Sequence, residues 1–387
     1  MIEKIRRYNW KFILLYFFPL CWLYRVTLSN NFGISSTINS LMLSSRGLTV
    51  VIFSFFGWLM MSKSETSVSV KRALSLSLYM LFVALLTTGS MDISMLAILF
   101  FWSVTFYITE KITLSLDDIG LIALIASVVC NLMAIDVIVH YPQLAFLNQL
   151  DQNQQVAASN SIYYVMSASI FIFLVKNNLL KIVLLILPCL AMLLVGKSTC
   201  LLAIAVSVCF YFQKLLLQSR GKIWIIVGIV AAVFVAAYFG EGLFNISETF
   251  SGFSVDVDSG GNGRFEIWTK VLQLYTSSDL FHILFGNGPQ AVSKVVNLGG
   301  HNDFIEVLFD FGLFGIIAYV SFWWSLIQRT KEFSSKSDIR LAYIVSLIVY
   351  AAASMFSNFI NTQIQMLFFV MFWGVVYNQR TDKNNSL

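Results

Sequence analysis

Apolar runs of about 17–22 residues recur along the chain, close to the length that spans a bilayer core as a helix. They predict helices over 11–28, 41–61, 73–90, 92–109, 118–139, 160–176, 180–195, 198–213, 223–239, 303–327, 340–360 and 364–379. The seventh and eighth are short and closely joined, so ten or eleven full crossings is the alternative count. One region breaks the pattern. Residues 240–302 are polar and glycine-rich, far longer than any other connection. The expected fold class is an all-α polytopic integral membrane protein of about 12 transmembrane helices. The expected organisation is a single membrane domain over 1–387, with one large outer loop at 240–302 that carries short amphipathic helices.

Composition agrees with the pattern. The chain is 58% hydrophobic and 12% charged, against roughly 25% charged in soluble domains. That leaves no room for a soluble domain of usual size. The basic start "MIEKIRRYNWK" leads into "FILLYFFPLCWLY". No small-residue cleavage site follows, so an uncleaved first span is expected. The five cysteines sit inside apolar runs without metal-ligand spacing and read as small core residues.

Charge sets the orientation. With the N-terminus inside, all but six of the 25 lysines and arginines fall on inner segments. Both termini are then cytoplasmic and the long loop faces outward. The net charge of +5 is a topology signal and gives no reason to expect nucleic acid. The six exceptions are Arg25, Arg46, Lys197, Arg264, Lys270 and Lys294. Cations placed against the topology rule are functional candidates. Solvation is the plain reading for Lys270 and Lys294 in a wet loop, and snorkelling for Arg25 at a span end. Arg46, a turn into "LMLSSRGLTVV", and Lys197, in the tight "LLVGKSTCLL" turn, fit that reading less well.

The outer loop holds the remaining chemistry. "SGGNGR" is a turn sequence whose glycines expose backbone amides. "RFEIWTKVLQLYT" then places Phe265, Trp268, Val271 and Leu272 at helical spacing, which predicts an amphipathic helix at the membrane. Arg264, at the start of that helix beside free amides, suits a phosphate group. A cation-lined pocket on the outer face suits an anionic lipid headgroup, for which a polyprenol diphosphate is one natural occupant.

"NLGGHNDFIEVLFDFGLFG" follows, and its His301 is the best-placed base at the water–membrane boundary. Asp303 or Glu306 is expected to orient it and raise its basicity. The alternative for "NDFIE" is helix-start chemistry, with Asn302 or Asp303 as cap and Glu306 in the first turn. Asp310, two turns in, needs a partner near the membrane, and Gly312 and Gly315 allow close approach of another helix. His140 and His282 read as packing or interfacial residues. Asp256-x-Asp258 has the spacing of metal-dependent transferases, but one such tripeptide is a weak sign, and no metal or cofactor is expected.

Taken in order, "GRFEIW" (263–268), "GNG" (286–288) and "GGHNDFIEVLFDFGLFG" (299–315) resemble the O-antigen polymerase and O-antigen ligase superfamily. The likeness of motifs covers these residues. The long outer loop followed by few spans resembles the superfamily's topology over the rest. The resemblance implies metal-independent glycosyl transfer on the periplasmic face of the bacterial inner membrane, from a glycan on undecaprenyl diphosphate. It maps the superfamily's loop arginine onto Arg264 and its histidine onto His301. Lys197 stands where an arginine is commoner, and Arg46 is added from the charge argument. Arg264, Lys197 and Arg46 are thus expected to bind diphosphate, with Asn302, Asp303, Glu306 and Asp310 in support. The expected partners are the lipid-linked oligosaccharide, the bilayer and a chain-length regulator protein. Likeness of "GHNDFIEVLFDFG" favours a polymerase over a ligase. A polyprenol-glycan flippase is the rival of another class. It would carry charge along a central cavity between two similar halves, whereas here the spans are nearly uncharged.

Overall fold

The computed structural model describes residues 8–30, 32, 46–63, 65–88, 93–146, 160–195, 197–218, 264–296, 299–334, 337–357, 359–360 and 363–377. Predicted span 223–239, Asp256 and Asp258 lie outside the described residues, as does the side chain of Arg46.

Every regular element described is helical. Helix α1 runs as Trp10–Phe12, a π-helical turn at Ile13–Phe17, and Phe18–Asn30. Then come α2 (Arg46–Leu59), α3 (Val68–Thr88), α4 (Ile93–Lys111) and α5 (Leu116–Phe146). Helix α6 (Ile162–Ser169) tightens into a 3₁₀ segment at Ile170–Leu174. It is followed by α7 (Asn178–Val195) and α8 (Ser198–Gln218). Three short helices precede the last spans: α9 (Arg264–Thr276), α10 (Leu280–Phe285) and α11 (Ala291–Val296). The chain ends in α12 (Asp303–Arg329), α13 (Asp338–Phe356) and α14 (Gln363–Tyr377). Among the described residues, six helices are long and apolar enough to cross a membrane, and three shorter apolar helices accompany them.

The bundle packs by aromatic and small residues. Helix α14 lies on α4, α12 on α3, α13 on α8, and α7 on α5. Gly374 lets α14 press against α4, because a Cβ there would meet Thr109 Cβ at 2.7 Å. Trp373 is fully buried and donates to Ser346 Oγ at 2.9 Å, so its one polar atom is satisfied.

Buried charge is paired. Arg329 Nη2 donates to Glu110 Oε2 at 3.2 Å, and its guanidinium stacks 3.9 Å from the Tyr377 ring centre. Ser67 caps the same carboxylate through its amide and its hydroxyl. Arg25, one of the outward cations, is also structural. It makes two bonds to Asp136, at 2.9 and 3.3 Å, and lies 5.0 Å from the Trp22 ring centre, clamping α1 to α5.

Candidate functional site

The N-terminal end of α12 organises the site. Asn302 has extended backbone and caps the helix, its Oδ1 accepting from the Phe304 and Ile305 amides at 2.9 and 3.1 Å. Its Nδ2 reaches Met355 O at 3.1 Å and ties the cap to the end of α13. Just before the cap, His301 sits at φ +50°, a left-handed conformation uncommon outside glycine. The capped helix start therefore holds the histidine in one unusual pose.

Each of the three carboxylates meets a different segment. Asp303 accepts from the Phe359 and Ile360 amides at 2.7 and 3.1 Å, and from Tyr319 Oη at 3.0 Å. Glu306 accepts from the Gly300 amide at 2.5 Å. Asp310 accepts from the Gln290 and Val292 amides at 2.9 and 3.0 Å, capping α11. Asp310 thus finds its partners in backbone amides of the loop. Asp303 and Glu306 brace the structure around His301, and the expectation that they raise its basicity does not hold. The pKa of His301 is lowered, first by burial and then by the positive charges of Arg264 and Lys197.

Gly312 admits another helix, α10, as expected, and also does something more. Inside α12 it adopts φ +68° and ψ −168°, and the helix breaks there. The "GNG" turn docks into the break. The Asn287 amide donates to Phe309 O at 3.0 Å and the Gly288 amide to Asp310 O at 2.8 Å. Tyr79 Oη bonds Phe311 O at 2.8 Å, satisfying a carbonyl at the break. Approach is so close that a Cβ on Gly312 would lie 2.4 Å from Leu284 O.

Helices α9 and α11 pack on this half of α12 through Val271, Ala291, Val292 and Phe309. The predicted apolar face of α9 is split. Val271 is buried, while Phe265 and Leu272 are exposed. Trp268 Nε1 donates to Gly300 O at 2.7 Å, linking α9 to the residue before His301.

Three of the sequence-predicted residues converge. Lys197 begins α8, its carbonyl accepting from the Cys200 and Leu201 amides at 3.0 and 3.1 Å. Arg264 begins α9, and His301 immediately precedes the cap of α12. Arg264 is near enough to disfavour the charged form of Lys197. The pKa of Lys197 falls by burial foremost, with Arg264 adding to the effect. A helix N-terminus already carries positive potential and disfavours a cation. Three such starts with a lysine, an arginine and a histidine form a place that needs an anion.

Residues not singled out from the sequence also gather here. Tyr163 lies beside Thr199 and Ser357, feels the Arg264 charge, and packs edge-on against Phe359 with ring centres 5.5 Å apart. Other candidates fall away from the site. Lys270 and Lys294 are solvent-exposed. His140 Nδ1 is 2.8 Å from Asp136 O. His282 Nδ1 is 2.8 Å from Asp279 Oδ2 on exposed α10.

Residues 182–320 match the O-antigen ligase family. Over these residues the chain is similar to the O-antigen polymerase and ligase superfamily. The match runs from α7 into α12 and includes Lys197, Arg264, His301 and the three carboxylates. It supports an enzyme with an activity of the O-antigen polymerase or ligase class, and the apolar helices support a membrane protein. No curated protein matches the chain.

Proposed function

We propose that the protein is a surface-polysaccharide polymerase, joining undecaprenyl-diphosphate-linked oligosaccharide repeat units on the periplasmic face. The observation that carries this reading is the convergence of Lys197, Arg264 and His301 at three helix starts. Arg264 and Lys197 hold the donor's diphosphate, with Arg46 as a third proposed cation. The nearby helix-start amides add dipole to the same pocket.

His301 is neutral near pH 7, because burial and two cations disfavour its protonated form. It accepts the proton of the acceptor hydroxyl as that oxygen bonds the anomeric carbon. The bond from carbon to the diphosphate oxygen breaks, and undecaprenyl diphosphate leaves with the electron pair. Arg264 and Lys197 stabilise the charge that develops on it. A single displacement inverts the anomeric centre. The diphosphate is already an activated leaving group, so no cofactor is required.

One consequence links binding to chemistry. A bound diphosphate offsets the Arg264 and Lys197 charges and raises the pKa of His301. The base is then strongest when the donor is in place. Asn302, Asp303, Glu306 and Asp310 hold His301 and the loop, and Tyr163 borders the pocket. A separate chain-length regulator is a proposed partner.

The second reading is ligase, favoured by the description of the matched family. A glycan ladder from a strain lacking the gene separates the two. A single core-linked repeat without a ladder indicates polymerase. Polymer retained on the lipid carrier above bare core indicates ligase. Complementation with well-expressed Arg264→Ala or His301→Ala should leave the defect in place, and a normal ladder from both variants would refute the mechanism.

A further inference from the structure

Helix α12 runs about 40 Å from Asp303 to Arg329, so its far end marks the opposite face of the bundle. There the first turns of α5, α7 and α13 and the end of the 3₁₀ segment surround a cavity of about 250 Å³. Leu116, Phe173 and Ile339 are among its apolar walls, and Lys176, Lys181 and Asp338 supply its charge.

Lys181 is 1% exposed. Its Nζ donates to Asn178 Oδ1 at 3.2 Å and to Tyr211 Oη. Asp338 is the carboxylate that acts on it. Lys176 is exposed and forms no ion pair among the described residues. Two lysines and one aspartate leave the lining with a net charge of +1. Gly120 also lines the cavity, and a Cβ there would meet nothing within 4 Å. Glycine weakens a helix interior relative to alanine, and no neighbouring side chain or backbone requires it here.

We propose that this cavity binds the phosphate ester of a membrane lipid, its charge on Lys176 and Lys181 and its chain along Leu116 and Phe173. Asp338 opposes a second negative charge, so a phosphodiester fits better than a diphosphate. The site is separate from the donor pocket at His301 and does not depend on the reaction proposed there.

The test uses the purified, delipidated full chain in detergent and counts bound lipid by native mass spectrometry. Phosphatidylglycerol is compared with a diacylglycerol of the same chains, and inorganic phosphate serves as competitor. Phosphatidylglycerol should be retained several-fold more tightly than diacylglycerol. Gly120→Leu, which fills the cavity, and Lys176→Gln, an exposed change, should each reduce that retention in a protein with unchanged melting temperature. Competition by inorganic phosphate at equal concentration would keep the phosphate site and overturn the lipid as its source. Equal binding of the two lipids, or unchanged retention in both variants, would overturn the proposal.

Discussion

Replacing Gly312 with alanine should unseat the loop from α12. The backbone there, φ +68° and ψ −168°, lies in a region that is essentially glycine-only and costs other residues about 1–3 kcal/mol. The new Cβ would also stand 2.4 Å from Leu284 O and 2.6 Å from the Gly286 amide nitrogen. The turn must shift to relieve this. The bonds nearest the shift are Asn287 N to Phe309 O and Gly288 N to Asp310 O, each worth about 1 kcal/mol net. Strain and lost bonds together reach about 3–5 kcal/mol. At tenfold per ~1.4 kcal/mol, the amides of the turn should exchange roughly 100-fold faster or more. Hydrogen–deuterium exchange on the detergent-purified protein reads this at Asn287, Gly288, Gln290 and Val292. Gly120→Ala is the control, since its Cβ meets open space. Wild-type protection of those amides in Gly312→Ala, with an unchanged melting temperature, would refute the reasoning.

The pH dependence gives a second test. Wild-type kcat/KM for the donor, which reports the free enzyme, should hold down to a pH below the usual histidine value of ~6.5, because the pKa of His301 is lowered. Arg264→Gln removes a positive charge that disfavours the imidazolium, so the pKa rises and the acid limb of the residual activity moves to higher pH. In vitro polymer formation across a pH series measures it, and an unmoved limb contradicts the assignment. Glu110→Gln leaves Arg329 buried at 2% exposure without its carboxylate. The expected loss is about 3–5 kcal/mol, part of it recovered in Glu110→Gln/Arg329→Met, both read by thermal unfolding in detergent. Asn302→Ala removes two cap bonds and the tie to Met355, which should cost about 0.5–2 kcal/mol. Freeing the His301 backbone should lower kcat more than it changes KM for the lipid-linked donor, and an unchanged kcat would count against a positioning role.

The helices were legible because apolar length is a local property. The predicted 180–195 and 303–327 correspond to Asn178–Val195 and Asp303–Arg329. Boundaries moved where polar residues extend a helix, as in α5, which runs on to Phe146 beyond the predicted 139. The charge rule singled out Lys197 and Arg264, and the structure brings both to His301. It also singled out Arg25, whose partner Asp136 is 111 positions away. Spacing placed Asp303, Glu306 and Asp310 on one helix face, but nothing in spacing says which amides they meet. Those amides belong to Phe359, Gly300 and Gln290, on three other segments. Tyr163 and Thr199 stand in apolar surroundings and read as core. Gly312 read as a packing residue because a glycine that contacts a helix and one that breaks it look alike in sequence.

The bonds that seat the loop have an evolutionary consequence. Asp310 grips the main-chain amides of Gln290 and Val292, Glu306 that of Gly300, and α12 carbonyls those of Asn287 and Gly288. These are bonds to main-chain groups, and Asn287 Nδ2 adds one side-chain bond, to Phe309 O at 3.1 Å. The frame around His301 is therefore inherited through the helix. The exposed loop side chains outside these contacts are left as free variables, which can change without rebuilding the scaffold around His301.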